Sequence, residues 1–297
     1  MSIKRLANAC SVPAHPLSPP ALLLYKQSMT TRPPSPPHGA PKLAFLASRA
    51  PAAQRALADM QRLYPSVALA KADILVALGG DGFLLRCLHQ LMASTRAAPA
   101  AVFGMNLGSV GFLLNPYRKA GLYKRLQASR RSVLHPLLLR GRDARGRAHE
   151  ARAINEVALI RQQAPAAKLR VYVDGRCRIP ELIADGILLA SPAGSTAYNL
   201  SAHGPILPLD SQLLALTPIS AFRPRSWRGA LLPANARLKL RVLEAAMRPV
   251  SVTADHARFS NMVELSIARD KACAFHLLFD PNHGLEERII SEQFLLR

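Results

Sequence analysis

The chain has few acidic residues, aromatic residues and cysteines, and each shortage narrows the range of functions that the protein could have. Of 297 residues, 39 are Lys or Arg and 18 are Asp or Glu, so the net charge of +21 favours anionic partners such as nucleotides or nucleic acids. Aromatic residues make up 5 %, with a single Trp, which argues against a stacking platform for single-stranded nucleic acid. Cys10, Cys87, Cys177 and Cys273 include no C-x-x-C pair, so we expect reduced, mostly buried thiols of a cytoplasmic protein.

Several sequence signals of common protein classes are also missing. No stretch approaches ~18 uninterrupted apolar residues, so we expect no membrane span. Prolines at positions 13, 16, 19 and 20 interrupt the N-terminal apolar residues, which argues against a signal peptide. The pattern G-x-x-x-x-G-K-[ST] is absent, which argues against a P-loop enzyme, and no G-x-G-x-x-G follows the first predicted strand.

The first half of the chain predicts a proline-rich extension followed by an α/β domain. Residues 1–41 contain no acids and little periodicity, so we expect a disordered extension, in which Met29 is an alternative candidate for the true start. From Lys42 onward, strand-like and helix-like runs alternate, which predicts a parallel sheet flanked by helices over residues 42–132. The predicted strands are 43–47, 74–78 and 101–105, and the predicted helices are 52–64, 83–93 and 117–128.

The second half predicts a β-rich, sandwich-like domain over residues 133–275. Short apolar runs separated by turn residues are typical of such a fold, and hydrophobic residues make up 49 % of the chain, enough for real cores. The strand-like runs are 133–139, 156–160, 169–173, 186–190, 238–242, 250–253, 263–267 and 274–279. Residues 276–297 close the chain, and from His283 onward they predict a helical segment that packs back on the first domain.

The most informative motif is Gly79-Gly80-Asp81-Gly82, which lies between a predicted strand and a predicted helix. Glycines allow positive φ and close approach of a ligand, and free N–H groups beside a helix start attract phosphate. A carboxylate placed there suits proton abstraction from a hydroxyl that attacks phosphorus. Taken alone, the tetrapeptide favours an ordinary tight turn, and the rest of the chain reverses that order. A second glycine-bearing loop, Asn106-Leu107-Gly108, follows the neighbouring strand and should lie at the same sheet edge.

The second half contains a further glycine-bearing segment, residues 191–204, after the predicted strand 186–190. Ser195 and Thr196 are candidate caps of a short helix and Gly204 is a candidate stop, which predicts an anion site suited to a dinucleotide diphosphate. An ordinary capped helix is the alternative. Asn155-Glu156 could bind a base edge and a ribose diol, although both this pair and Asp185-Gly186 are also typical of turns.

These segments, in this order and followed by Pro205-Ile206-Leu207-Pro208, closely resemble the NAD kinase family. The resemblance runs from about Lys42 to the C-terminus. The long segment with Gly-Ser-Thr-Ala-Tyr is highly specific, whereas Gly-Gly-Asp-Gly is shared with lipid kinases and 6-phosphofructokinase-like enzymes. The resemblance implies the NAD kinase/diacylglycerol kinase-like fold and ATP-dependent phosphorylation of NAD on the adenosine-ribose 2′-hydroxyl.

The resemblance also implies roles for individual residues. Asp81 would be the proton acceptor, Gly82 would lie beside the ligand, and Asp185 would bind NAD, across a subunit boundary in a homodimer or homotetramer. The other residues implied at the NAD site are Asn155, Glu156, Ala193, Thr196, Ala197, Tyr198, Asn199, Leu200 and Ser201. A divalent cation, usually Mg²⁺, would accompany ATP, and we assign no protein side chain to the metal.

Two positions depart from the family pattern. Phe83 stands where many relatives have Thr, which removes a hydroxyl that could touch phosphate. Ala193, in Ser191-Pro192-Ala193, stands where Thr-Pro-Thr is more common, so this position offers only backbone and a methyl group. The alternatives are a diacylglycerol-type lipid kinase and a non-catalytic basic protein that binds nucleotides or nucleic acid. We expect neither a membrane partner nor a specific nucleic acid.

Overall fold

The computed structural model describes residues 37–93 and 101–281. Most of the predicted extension and the predicted closing helix from His283 lie outside the described residues. The helices are α1 (Pro51–Leu63), α2 (Asp81–Met92), α3 (Leu122–Ala128) and α4 (Tyr198–Ser201). The strands are β1 (Leu43–Ala47), β2 (Ile74–Gly79), β3 (Ala101–Asn106), β4 (Asn115–Pro116), β5 (Arg130–Leu134), β6 (Leu137–Asp143), β7 (Ala148–Ala153), β8 (Glu156–Arg161), β9 (Ala167–Val173), β10 (Arg176–Ala184), β11 (Gly186–Ala190), β12 (Leu213–Ile219), β13 (Ala230–Pro233), β14 (Leu238–Val242), β15 (Val250–Ala254), β16 (Ala257–Ser260), β17 (Met262–Arg269) and β18 (Phe275–Phe279).

The first lobe is a sheet in the order β1-β2-β3-β18-β5, with β4 beside β3, together with α1, α2 and α3. Strands β1, β2, β3 and β18 run parallel, and β5 runs antiparallel to β18. Alternate residues of β2 face opposite sides of the sheet, as the strand period requires. Leu75 and Ala77 pack with α2, whereas Val76 and Leu78 pack with α1 and α3. Burial on both faces explains why the strand is a continuous apolar run.

The second lobe is a sandwich of two six-stranded antiparallel sheets that comprises β6 to β17 and α4. One sheet has the order β10-β9-β14-β17-β6-β7, and the other has the order β13-β12-β11-β8-β15-β16. Inward-facing residues of both sheets, such as Leu169, Val171, Ile187 and Leu189, form one shared core. The alternate residue Leu188 faces the other way and packs with Leu207 in a smaller cluster outside the sandwich. Strand β11 is therefore buried along its whole length.

This architecture confirms the predicted fold class, an α/β domain with a parallel sheet followed by a β-rich sandwich. Residues 133–139, expected as one strand, instead belong to two, because β5 ends before and β6 begins after His135-Pro136. Proline lacks the N–H that a continuous ladder needs. The predicted helix 117–128 begins only at Leu122, after Gly121 with φ of 72°. The proposed boundary at 132/133 stays a prediction, and β5 crosses it.

The cysteines are only partly as expected. Cys87, Cys177 and Cys273 all have free thiols. Cys87 is buried in α2, and burial raises the pKa of its thiol to about 12. Cys177 is exposed on β10, contrary to the expectation of mostly buried thiols. Within the described part of the chain, no helix is long and apolar enough to cross a bilayer.

Candidate functional site

Asp81 lies at the carboxyl edge of the first-lobe sheet. Strand β2 ends at Gly79, which pairs with Asn106 at the end of β3, and Asp81 is the first residue of α2. The two strand ends carry the two glycine-bearing loops, as predicted. They pass so closely that a Cβ atom on Gly108 would lie 3.1 Å from the Cα of Gly80. This close approach places the second loop beside the Asp81 side chain.

The Asp81 carboxylate is held by three backbone N–H groups of the segment 111–113. Its Oδ2 accepts hydrogen bonds from Gly111 (3.0 Å) and Phe112 (3.1 Å), and its Oδ1 accepts one from Leu113 (2.9 Å). An ionised carboxylate has about four lone-pair sites. Within the residues that the structure describes, these donors occupy three sites, and the remaining one is on Oδ1. These donors lie about thirty residues further along the chain than Asp81, beyond any local pattern around that residue.

Asn106 and Gly111 shape the loop that supplies these donors. The Asn106 amide donates to the carbonyl of Val110 (2.9 Å) and accepts from the N–H of Gly108 (2.9 Å), so it spans the loop. Gly111 has φ of +81°, and a Cβ atom there would lie 2.4 Å from the side chain of Asn106. Only glycine fits this position without displacing the amide.

Asn155 lies in the connection from β7 to β8, Glu156 is the first residue of β8, and the pair touches the segment 191–201. The carbonyl of Asn155 accepts the N–H of Ser191 (2.9 Å). A Cβ atom on Gly194 would lie 2.2 Å from that same carbonyl oxygen. The hydroxyl of Ser191 donates to the carbonyl of Ile154 (2.6 Å). Close backbone contact therefore fixes these two predicted site segments against each other.

Glu156 carries a carboxyl group that the protein leaves partly unsatisfied. Its Oε2 is buried and has no hydrogen-bond partner among the residues that the structure describes. Burial, together with the nearby charge of Asp255, raises the pKa of Glu156 to about 7. A buried polar atom without a partner is costly, so a ligand hydroxyl or amine that donates to it would be strongly favoured.

The segment 191–204 differs from the predicted capped helix. It forms a 3-10 turn, Ala193–Thr196, and the four-residue helix α4, and neither has a side-chain cap. Ser195 does not cap, because its hydroxyl bonds to the carbonyls of Pro192 and Leu207 and to the N–H of Leu207. A helix this short offers little dipole, so the predicted anion site at its start is not supported.

The predicted binding residues in this segment fall into exposed and buried groups. Tyr198 and Ser201 are exposed, and Thr196, Ala197 and Leu200 are half-buried. Asn199 is fully buried: its amide donates to the carbonyls of Ser195 and Pro205, and its oxygen accepts the hydroxyl of Thr217 (2.7 Å). The Asn199 side chain therefore forms its hydrogen bonds within the protein.

Ala193 connects the segment to the first lobe. It is buried in the cluster that contains Ile154, Leu84 of α2 and Leu113. Leu84 is three residues beyond Asp81, and Leu113 donates its N–H to Asp81. One hydrophobic cluster thus brings together the surroundings of Asp81, Asn155 and Ala193. Gly82 is exposed, and a Cβ atom there would meet nothing within 4 Å, so open space adjoins the start of α2.

Asp185 is not brought to this site within one chain. Asp185 precedes β11 and Ser191 follows it. The five-residue strand between them is roughly 17 Å long at 3.3 Å per residue. The carboxylate of Asp185 pairs with Arg161 (2.5 Å) and is 40 % exposed. Within one chain, the structure does not bring Asp185 to the segment 191–204, and its predicted contact with NAD stays a prediction.

No group of three or more His, Cys, Asp or Glu side chains within residues 37–93 and 101–281 could hold a metal ion. Mg²⁺ in nucleotide enzymes is usually bound by one or two carboxylates together with substrate phosphates. Asp81 is the carboxylate beside the open space at Gly82. Because Asp81 keeps a single lone-pair position, a cation at this site would be held chiefly by the phosphates of a triphosphate.

The chain is similar to known proteins along most of its length. The family model described as "ATP-NAD kinase C-terminal domain" matches residues 154–265. The NAD kinase of Caulobacter vibrioides is 52 % identical over 253 residues, which cover 85 % of this chain and 96 % of the relative. The NAD kinase of Rhizobium meliloti is 51 % identical over 252 residues, with coverages of 85 % and 96 %.

Two solved structures share the fold. Yeast NADH kinase complexed with NADH has a TM-score of 0.72 at 20 % identity and covers 89 % of this chain and 94 % of its own. An NAD kinase from Archaeoglobus fulgidus in complex with ATP has a TM-score of 0.64 at 21 % identity, with coverages of 84 % and 99 %. At this identity the likeness supports the architecture alone.

Proposed function

We propose that this chain, which belongs to the NAD kinase family, makes NADP by transferring the γ-phosphoryl group of ATP to the 2′-hydroxyl of the adenosine ribose of NAD. The observation that carries the mechanism is the Asp81 carboxylate, fixed by three N–H donors with one acceptor position left on Oδ1. That position is where the ribose hydroxyl would donate its hydrogen bond. As the hydroxyl oxygen attacks phosphorus, Asp81 would take its proton.

Glu156 supports binding of the adenosine half of NAD. Its unpartnered Oε2 needs a donor, which a ribose hydroxyl or the adenine amino group can supply. Asn155 lies beside it, with its backbone fixed by Ser191. The exposed or half-buried residues Thr196, Ala197, Tyr198, Leu200 and Ser201 would line the rest of the NAD site together with Gly82. Asn199 would support this wall from behind, because its own side chain is buried.

The finer properties of the enzyme are also proposals. A divalent cation, Mg²⁺ by preference, would neutralise charge on the phosphates of ATP. Asp185 would reach the NAD site of a neighbouring subunit, so the working form would be a homodimer or homotetramer. NAD and ATP are the expected partners, and the cytoplasm stays the expected compartment.

The test is direct. Purified protein with NAD, ATP and Mg²⁺ should form NADP, which a coupled glucose-6-phosphate dehydrogenase assay detects. Diacylglycerol, sphingosine and duplex DNA serve as alternative ligands. Phosphorylation of a lipid without NADP formation would replace the proposal with the lipid-kinase alternative. Salt-sensitive DNA binding as tight as NAD binding, without turnover, would favour the basic binding protein.

A further inference from the structure

Asp255 holds the loop that contains Asn155 and Glu156. It lies in the turn between β15 and β16, and its carboxyl group is fully buried. Its Oδ2 accepts the N–H of Ile154 (2.6 Å), and its Oδ1 accepts the N–H groups of Asn155 (3.0 Å) and Glu156 (3.3 Å). Three consecutive amides therefore point at one side chain, about a hundred residues further along the chain.

The same carboxylate reaches the first lobe through His89. The Nε2 atom of His89 lies 2.7 Å from Oδ2 of Asp255. His89 is on α2, eight residues after Asp81 and about 12 Å further along the helix axis. The ring of His256 packs edge-on against that of His89, with 4.3 Å between the centroids. Helix α2 is thus anchored near its start by the loop 111–113 and near its end by Asp255.

Asp255 has no acceptor capacity left for a substrate. Two donors bind each of its oxygens, which fills the roughly four sites of a carboxylate. The contrast with Asp81, which keeps one site on Oδ1, separates a structural carboxylate from a reactive one. Asp255 also has φ of 48°, in the left-handed region that few non-glycine residues adopt. The four hydrogen bonds maintain this conformation.

We propose that Asp255 and His89 are a positioning pair, which fixes helix α2 relative to residues 154–156. The pair thereby holds the Asp81 carboxylate within hydrogen-bonding distance of the 2′-hydroxyl of the bound adenosine ribose. The inference rests on the proposed function. Its distinctive consequence is that loss of the pair impairs the chemical step more than NAD binding. The NAD-binding loop keeps its three bonds to Asp255 when His89 is removed, whereas the helix that carries Asp81 loses an anchor.

Three substitutions at His89 test the pair. In His89→Gln, the side-chain amide nitrogen can occupy the place of Nε2 and donate to Asp255. In His89→Asn the amide is one methylene shorter and does not reach, and His89→Ala removes the donor. A misplacement of about 1 Å can lower turnover ~100-fold. We expect the Ala and Asn variants to lose roughly 10- to 100-fold in kcat, while their KM for NAD stays within about threefold of the parental value. The Gln variant should have a kcat within about threefold of the parental value.

The control is Gln90→Ala, the exposed neighbour of His89 on the same helix, which should match the parent. Steady-state rates are measured well below each melting temperature and normalised to the folded fraction from circular dichroism. If the parent forms no NADP, the proposed function itself fails. If the parent is active, the pair is refuted by an Ala variant with parental kcat, by a Gln variant no better than Ala, or by a change confined to KM.

Discussion

Replacement of Asp81 by Asn tests both the chemistry and the structure of the site. Asn is nearly the same size, but it has one acceptor oxygen and two donor hydrogens where the carboxylate has two acceptor oxygens. If its oxygen takes the place of Oδ2, the bonds from Gly111 and Phe112 are kept, and the amino group faces the N–H of Leu113. The opposite orientation keeps only the bond from Leu113.

The structure therefore gives a stability cost as well as a catalytic cost. One hydrogen bond to a charged acceptor, worth ~1.5–3 kcal/mol, is replaced by a contact between two donors. We expect Asp81→Asn to unfold at a melting temperature roughly 3–12 °C lower than the parent, since 1 kcal/mol corresponds to about 2–4 °C for a domain of about 150–250 residues. Loss of the proton acceptor should lower kcat by about 10²–10⁴-fold.

The assay must separate these two losses. NADP formation is measured well below the melting temperature of the variant, and the NAD dissociation constant is measured by calorimetry. Leu240→Ala in the core of the second lobe, expected to cost ~2–5 kcal/mol, controls for lost stability. The control should keep parental kcat. If Asp81→Asn keeps kcat within tenfold of the parent, the base assignment is wrong, and an unchanged melting temperature would contradict the three N–H bonds.

Four further predictions concern Glu156, Gly194 and Asp185. Burial and the charge of Asp255 raise the pKa of Glu156 to about 7, and a protonated carboxyl group is a poor hydrogen-bond acceptor. The affinity for NAD, measured by calorimetry, should therefore fall as the pH drops from 8 to 6. The Glu156→Gln variant should bind NAD weakly at every pH. Glu156 ionises at a lower pH in the unfolded chain than in the folded protein, so the free energy of unfolding falls as the pH rises from about 4.5 to 7. The Glu156→Gln variant should therefore melt at a higher temperature than the parent at pH 8 but not at pH 4. Gly194→Ala should destabilise the protein and raise KM for NAD in steady-state assays, since its Cβ atom would lie 2.2 Å from the carbonyl oxygen of Asn155. If Asp185 acts across a subunit boundary, co-refolded Asp81→Asn and Asp185→Ala chains should regain part of the activity that each lacks alone, and no regain would place Asp185 outside the shared site.

The sequence predicted correctly those features that depend on a short stretch of neighbouring residues. The apolar runs of β1, β2 and β3 predicted their strands to within one residue, because burial on both faces leaves few polar positions. The glycine-bearing loops after β2 and β3 were expected at one sheet edge, since parallel neighbours end together. Glu156 was also identified, although its raised pKa depends on burial that no local pattern encodes.

What the sequence did not predict depends on contacts between distant residues. The donors to Asp81 come from residues 111–113, and His89 meets Asp255 across 166 residues of chain. The capping prediction at Ser195 was wrong for the same reason, because the hydroxyl is taken by Leu207 from the following loop. The glycine at 111, five residues after the end of β3, was the available hint that the loop turns back on itself.

The position of β18 has a consequence for how the protein is made. This strand completes the first-lobe sheet by filling the place between β3 and β5, yet it is translated after the entire second lobe. At about 5–20 residues per second, β3 emerges from the ribosome and waits on the order of ten seconds for its neighbour. During that interval an apolar edge is exposed to other nascent chains. Premature termination before β18 would make this exposure permanent, so truncated products should aggregate even when the sandwich has folded.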